Sequence, residues 1–331
     1  MLVKNRIFYY DMLRTLAILC VILCHTSPFY NLMGIASPAN LIIPYTLYNL
    51  ATMGVPLFFM ISGALLLNKK DSISVFLKKR FTRILYPFLF WIAIILAGVY
   101  YINGTTYLLD MFLGIGQFTW FIWVLMGLYL FIPIFSPFIE KYGIKGVEYY
   151  LIFWLITIII TALNQYPFGR LDLTLFSGYF GVLVLGYYLD NKDFKIDDNK
   201  LCTIGLIIFL ICLIIMVYLN YANYVTGFSF DSCEYLNIIT ITMASGLYIF
   251  IKYLNQLNSL GANIKNAVTS VSMCSYGMYF THIIVVRPFL LYFNHHSLLE
   301  SGIIFIIVCF ASWLIIYIFS KIPYLKKVSG V

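Results

Sequence analysis

The chain has 331 residues, 62% of them apolar and only 10% charged, with a formal net charge of +8 and a pI near 9.0. Soluble domains run roughly 45–50% apolar and about 25% charged, so a soluble enzyme, a nucleic-acid-binding domain and a disordered segment are excluded. The surplus of Lys and Arg reads first as membrane topology, because basic residues collect on the cytoplasmic side.

A bilayer core of about 30 Å takes roughly 20 apolar residues per helix. Ten runs answer to that length, at roughly 7–28, 41–67, 83–102, 119–139, 147–166, 173–190, 201–221, 234–254, 267–292 and 299–320. Runs such as 201–219 are almost continuously apolar, unlike the alternating strands of an outer-membrane barrel. The expected fold is therefore all-α, a polytopic transmembrane helical bundle of about ten spans. The first run follows Lys4 and Arg6, but Asp11 and Arg14 interrupt it and no small-x-small site follows, so it reads as a retained span rather than a signal peptide. The second carries Pro44, Gly54 and Pro56 and is expected to kink or break. The basic segment 68–82 after it suits an interfacial helix. With the N-terminus inside, all but three of the 21 basic residues fall in cytoplasmic segments; Arg14 and Arg287 lie within runs and Arg170 in an outer loop. That bias requires an even number of spans with both termini cytoplasmic. The whole of 1–331 reads as one membrane-embedded domain with no appended soluble domain. No internal repeat is visible, which weighs against a secondary transporter.

Of the seven Cys, only Cys233 falls outside the apolar runs, and no CxxC pair occurs. Cys24 precedes His25, but further ligands are missing, so no metal is expected.

Ionisable groups within spans are costly and mark functional candidates. Asp11 and Arg14 are spaced to pair on one face of the first span, either as a structural ion pair or as part of a site. His25 lies eleven residues beyond Arg14, on nearly the same face and roughly 16 Å further along the helix. Arg80 and Arg83 share a face at i, i+3 where the third span begins. Paired guanidiniums suit phosphate recognition; ordinary positive-inside anchoring is the alternative. In the ninth span, Ser272, Ser275, Tyr279 and His282 form one polar stripe, with Arg287 beyond it. Such a stripe should face the bundle interior or a wet cavity, or serve as interhelical hydrogen-bond glue. Ser62-Gly63 reads as close packing rather than as a nucleophile, since Met60 stands where G-x-S-x-G needs its first Gly. Trp120, Phe121 and Trp123 fit an interfacial aromatic belt, and His295-His296 a solvated outer loop.

Taken together these residues resemble the acyltransferase-three family of ten-span membrane acyltransferases. Asp11 with Arg14-x10-His25 is similar to its opening motif, and the run F-F-M-I-S-G-A-L-L at 58–66 to its second-span signature. Arg80-x-x-Arg83 matches its R-x-x-R motif. Trp120-Phe121 with Tyr129 and Pro133 is similar to its W-F…Y…P stretch, and Ser275-Tyr276-Gly277-x-Tyr279-x-x-His282 to its late S-Y-G-x-Y-x-x-H block. The resemblance spans essentially the whole chain. It implies transfer of an acyl group, often acetyl, from cytosolic acyl-CoA to a hydroxyl of a sugar or glycolipid at the outer face of the cell membrane, as in O-acetylation of cell-surface polysaccharide. Some members carry a further extracytoplasmic domain, so a separate extracytoplasmic partner is one way for this chain to complete the transfer.

Acyl transfer to a hydroxyl needs a base that titrates near neutrality and donors for the oxyanion. His25 is the expected base, with His282, Tyr279 and Arg287 as helpers. Arg80, Arg83, Arg14 and Ser62 form the expected donor-binding set, for acetyl-CoA as co-substrate. His25 acting as general base and His25 carrying the acyl group as an imidazole adduct both remain open. The rival reading is a transporter or flippase for a lipid-linked sugar or polysaccharide, which has no use for a coenzyme A phosphate site.

Overall fold

A computed structural model describes residues 6–27, 38–105, 108–114, 119–162, 173–226, 235–292 and 297–331. Cys233, Arg170, His295 and His296 lie outside them. Among the described residues there is no strand. Helices follow from the composition: in lipid, backbone N–H and C=O groups have no water to bond, and a helix satisfies them within one segment.

The first run is α1, Phe8–Thr26. The second breaks, as its prolines suggest, into α2, Ile42–Thr52, and α3, Gly54–Leu66. Pro56 has no N–H to give to the Thr52 carbonyl, which interrupts the helical ladder there. The break also brings Gly54 against α1, where a Cβ would sit 2.8 Å from the Ala17 carbonyl oxygen. The third run is α4, Ile73–Asn103. It begins ten residues before the apolar stretch, so the basic segment expected as an interfacial helix is instead the first turns of α4 from Ile73 onward. No proline or glycine stands between 73 and 83 to separate them. A short α5, Leu108–Leu113, precedes α6, Trp120–Ala162. The 43 residues of α6 hold two of the expected runs, divided at Gly143, whose φ of +59° and ψ of −149° interrupt the helix.

The remaining elements are α7, Tyr179–Asn191; α8, Asp198–Thr226; α9, Ile238–Lys252; α10, Ala262–Tyr292; α11, Leu298–Lys321; and α12, Lys326–Ser329. A Ser297/Glu300 capping box starts α11. Within the described residues, each expected run thus contains an α-helix. Among the described residues, six helices are long and apolar enough to cross a membrane by length and composition, counting α2–α3 and α6 once each. The expectation of about ten spans exceeds that number for identifiable reasons. The two halves of α6 on either side of Gly143 count there as one, α7 and α9 are short, and the polar stripe dilutes α10.

Helix α1 is the axle of the bundle. It packs against α2, α3, α9, α10 and α11, with Leu13, Ala17, Ile18 and Ile22 fully buried. By contrast α8 and α11 turn apolar side chains outward, among them Ile214, Ile306 and Phe310. Such a wide apolar exterior is what a bilayer-embedded protein presents.

Two devices hold the bundle. Helices α3 and α7 touch backbone to backbone: a Cβ on Gly63 would fall 1.7 Å from the Leu183 carbonyl oxygen, and one on Gly186 would fall 2.1 Å from that of Met60. Small residues at a crossing allow this approach, and Gly63 fulfils the packing reading of the Ser62-Gly63 pair. At the Arg14 end, the Asp190 carboxylate accepts hydrogen bonds from the hydroxyls of Tyr9, Tyr10 and Tyr248 at 2.6, 2.8 and 3.2 Å. The Lys252 ammonium donates to the carbonyls of Leu189 and Asp190 at 3.0 and 2.6 Å, closing the end of α7. These bonds tie α1, α7 and α9 together.

Candidate active site

Two groups of polar side chains lie on α1 and α10, one near each end of α1. The first surrounds a cavity of about 460 Å³. Arg14 reaches it from α1, Ser62 from α3, Arg80 and Arg83 from α4, and Ser275 and Tyr279 from α10. Residues from four helices, up to 265 positions apart in sequence, meet here because α1 packs α3 and α10, while α4 packs α10.

The expected Asp11–Arg14 pair does not form. Asp11, 1% exposed, is held by Arg6, whose Nε and Nη2 donate to Oδ2 and Oδ1 at 2.5 and 2.6 Å. Ser272 Oγ donates to Oδ1 at 2.7 Å. Arg6 precedes α1, so its chain is free to fold back onto Asp11 in a bidentate contact that Arg14, fixed on the helix, does not match. Arg14 is thereby left without a carboxylate. Among the described residues neither Arg80 nor Arg83 has an ion-pair partner either. Arg80 Nε is buried with no hydrogen-bond partner, and its guanidinium carbon stands 5.8 Å over the Phe76 ring. Three guanidiniums facing one cavity whose lining residues carry no acidic side chain form a site that an anionic ligand would complete. Ser62 lines the same space, but its hydroxyl donates to the Phe58 carbonyl at 2.8 Å, the back-bond of a helix serine.

The second group is the imidazole pair. His25 on α1 and His282 on α10 lie with ring centroids 5.2 Å apart. His282 is fully buried. Its Nδ1 lies 2.9 Å from the Met278 carbonyl, which only accepts, so Nδ1 carries the proton and Nε2 keeps its lone pair. Nε2 is buried and has no hydrogen-bond partner. The pair does not line the cavity. Tyr279 connects the two, lining the cavity with its ring 6.0 Å from that of His282. Arg287, half-buried further along α10, joins neither the imidazole pair nor the cavity wall. It lies five residues beyond His282, about 140° around the helix.

Other members of the site were not marked by sequence reasoning. Phe121, expected in an interfacial belt, is 5% exposed and packs on Tyr279 at 5.2 Å while lining the cavity. Its neighbour Trp123 fits the belt better, being exposed. Arg6 and Lys69 add to the positive lining, and Gly330 and Val331 close one side. The reach of Arg6 was hinted at by its place just ahead of a helix with an acidic first turn; nothing local signals the last two.

A family model described as an acyltransferase domain matches residues 7–320. No curated protein and no solved structure matches the chain significantly. The match covers both ends of the cavity-forming bundle, from α1 through α11, and its length leaves the conclusion plain: this multi-pass membrane chain belongs to the acyltransferase-three family.

Proposed function

We propose that the protein moves an acyl group, acetyl in the first instance, from cytosolic acyl-CoA to a hydroxyl of a sugar or glycolipid at the outer face of the cell membrane. The observation that carries this reading is the cavity with three unpaired guanidiniums that ends at Tyr279, beside an imidazole pair. With both termini cytoplasmic, the cavity opens toward the donor and the imidazoles lie nearer the acceptor. The phosphates of coenzyme A would bind Arg80, Arg83 and Arg14, while the thin pantetheine arm extends along α10 past Ser275.

At the imidazoles, His25 takes the proton from the acceptor hydroxyl as its oxygen attacks the thioester carbonyl. The tetrahedral oxyanion forms, the C–S bond breaks, and the coenzyme A thiolate leaves and is reprotonated. His282 is held by Met278 in one tautomer, its Nε2 is left free to accept, and its ring contact positions His25. Tyr279 stands where the arm meets the pair. Route through an acyl-imidazole on His25 uses the same contacts. The two routes differ in whether acyl-enzyme accumulates when acceptor is withheld.

The test is transfer of labelled acetyl from acetyl-CoA by purified protein in lipid nanodiscs, with surface glycans or glycolipids as acceptors. Acetylated carbohydrate as product supports the reading. Unacetylated lipid-linked sugar crossing the bilayer, with acetyl-CoA left intact, would establish the transporter in its place.

A further inference from the structure

Residues 326–331 follow α11 outside the stretch matched by the family model. They are not a loose end. Helix α12 packs against α4, α10 and α11. Trp91 Nε1 on α4 donates to the Val328 carbonyl at 2.9 Å. Ser329 is fully buried, and its carbonyl oxygen occupies the space over Gly277 of α10, where a Cβ would fall 2.3 Å from it. Gly330 turns the chain with φ +77°, and a Cβ there would meet Tyr276 at 2.7 Å. Tyr276 in turn donates to the Ile84 carbonyl of α4 at 3.1 Å. Two glycines thus form a fitted seat. It delivers Gly330 and Val331 to the cavity wall, between the helix that carries Arg80 and Arg83 and the helix that carries Ser275 and Tyr279.

We propose that residues 326–331 form a strap that closes one side of the cation-lined cavity, with Gly330 and Val331 as positioning residues that set the width left for the donor. The proposal rests on the donor-site reading for its ligand, but the strap itself can be tested without one. Closing the wall narrows the access of water and bulk ions to the guanidiniums from that side, which strengthens their attraction for phosphate. It also fixes the separation of α4 from α10, and so the distance between the arginines and the line of the arm.

The ligand-free test uses Ser62→Cys as a reporter inside the cavity. Its modification by a small charged thiol reagent is followed at that position by mass spectrometry. The rate should rise at least about fivefold when the strap is displaced by Gly277→Val or removed by deletion of 326–331, and should fall with Val331→Trp. Equal rates in all backgrounds overturn the strap. Should Gly277→Val fail to fold, the deletion and Val331→Trp decide alone. The second arm titrates acetyl-CoA. Val331→Trp should fill part of the space left for the donor and weaken binding about tenfold, Val331→Ile should restore it, and the melting temperature should stay unchanged. Unchanged affinity alongside a loss in Arg80→Ala removes the positioning role and leaves the donor site standing. Affinity indifferent to Arg80→Ala removes the donor-site reading, and the reporter rates then judge the strap by themselves.

Discussion

Replacing His25 by Ala separates chemistry from binding more cleanly than any other change in this site. The imidazole is half-buried on α1 and touches His282 rather than the cavity. Its removal therefore takes nothing from the wall that Arg14, Arg80 and Arg83 form, and donor affinity should hold. Ala is a strong helix former, so α1 keeps its register. Loss of a general base typically costs about 10²–10⁴ in rate, equivalent to about 2.7–5.4 kcal/mol on the barrier. His282→Ala should cost less. Its Nδ1 bond goes to a carbonyl of its own helix, so losing it loosens the orientation of the pair without removing the base. The assay is acetyl transfer by matched proteins in nanodiscs, with acetyl-CoA titrated separately by calorimetry. A His25→Ala protein that keeps most of its turnover while His282→Ala loses it would place the base on α10 instead. Loss of donor affinity in His25→Ala would refute the separation of the two groups.

Arg80→Ala and Arg83→Ala should each weaken acetyl-CoA binding by about tenfold to a hundredfold, the scale of a hydrogen bond to a charged group, with Lys restoring only part of it because a point charge lacks the planar fork; calorimetry on the same preparations measures this. Gly186→Leu should destabilise the bundle by at least about 1–3 kcal/mol, since the added Cβ alone would fall 2.1 Å from the Met60 backbone, and a thermal-shift series against Gly98→Leu, an open position, reports it. Asp190→Ala should cost about 2 kcal/mol or more by leaving three tyrosine hydroxyls without their carboxylate, while Asp190→Asn recovers part; protease resistance in detergent follows the order.

Much of the architecture was legible because lipid simplifies the pattern. Each apolar run is a helix, and Pro56 with Gly54 marked the break between α2 and α3. The polar residues of the site stood out for the same reason: a His, an Arg or a row of hydroxyls within an apolar run has no neighbour of its kind. Helical periodicity put Ser272, Ser275, Tyr279 and His282 on one face, and all four are buried. What escaped was contact between segments. Spacing along one helix proposed Arg14 for Asp11, but Arg6, lying ahead of the helix and free of its geometry, made the better bidentate pair. Phe121 carries the composition of a membrane belt yet packs inward on Tyr279. Gly330 and Val331 reach the cavity through the seat on Gly277, a fit between surfaces that no local pattern encodes.

The backbone contact between α3 and α7 gives the cavity one rigid jamb. Ser62 sits directly beside Gly63, where the crossing leaves no side chain to compress. A wall pinned in this way cannot step aside to admit a bulky donor. The opposite side is different in kind. There α4 offers long arginine and lysine stems at its first turns, Arg83 exposed and Arg80 half-buried, beside the short α12 that is seated on α4, α10 and α11. The cavity is therefore framed by helix backbone on one side and by long side chains, Arg80 and Arg83 among them, on the other. Any adjustment to a ligand falls to those side chains, with the helices that carry them held in place.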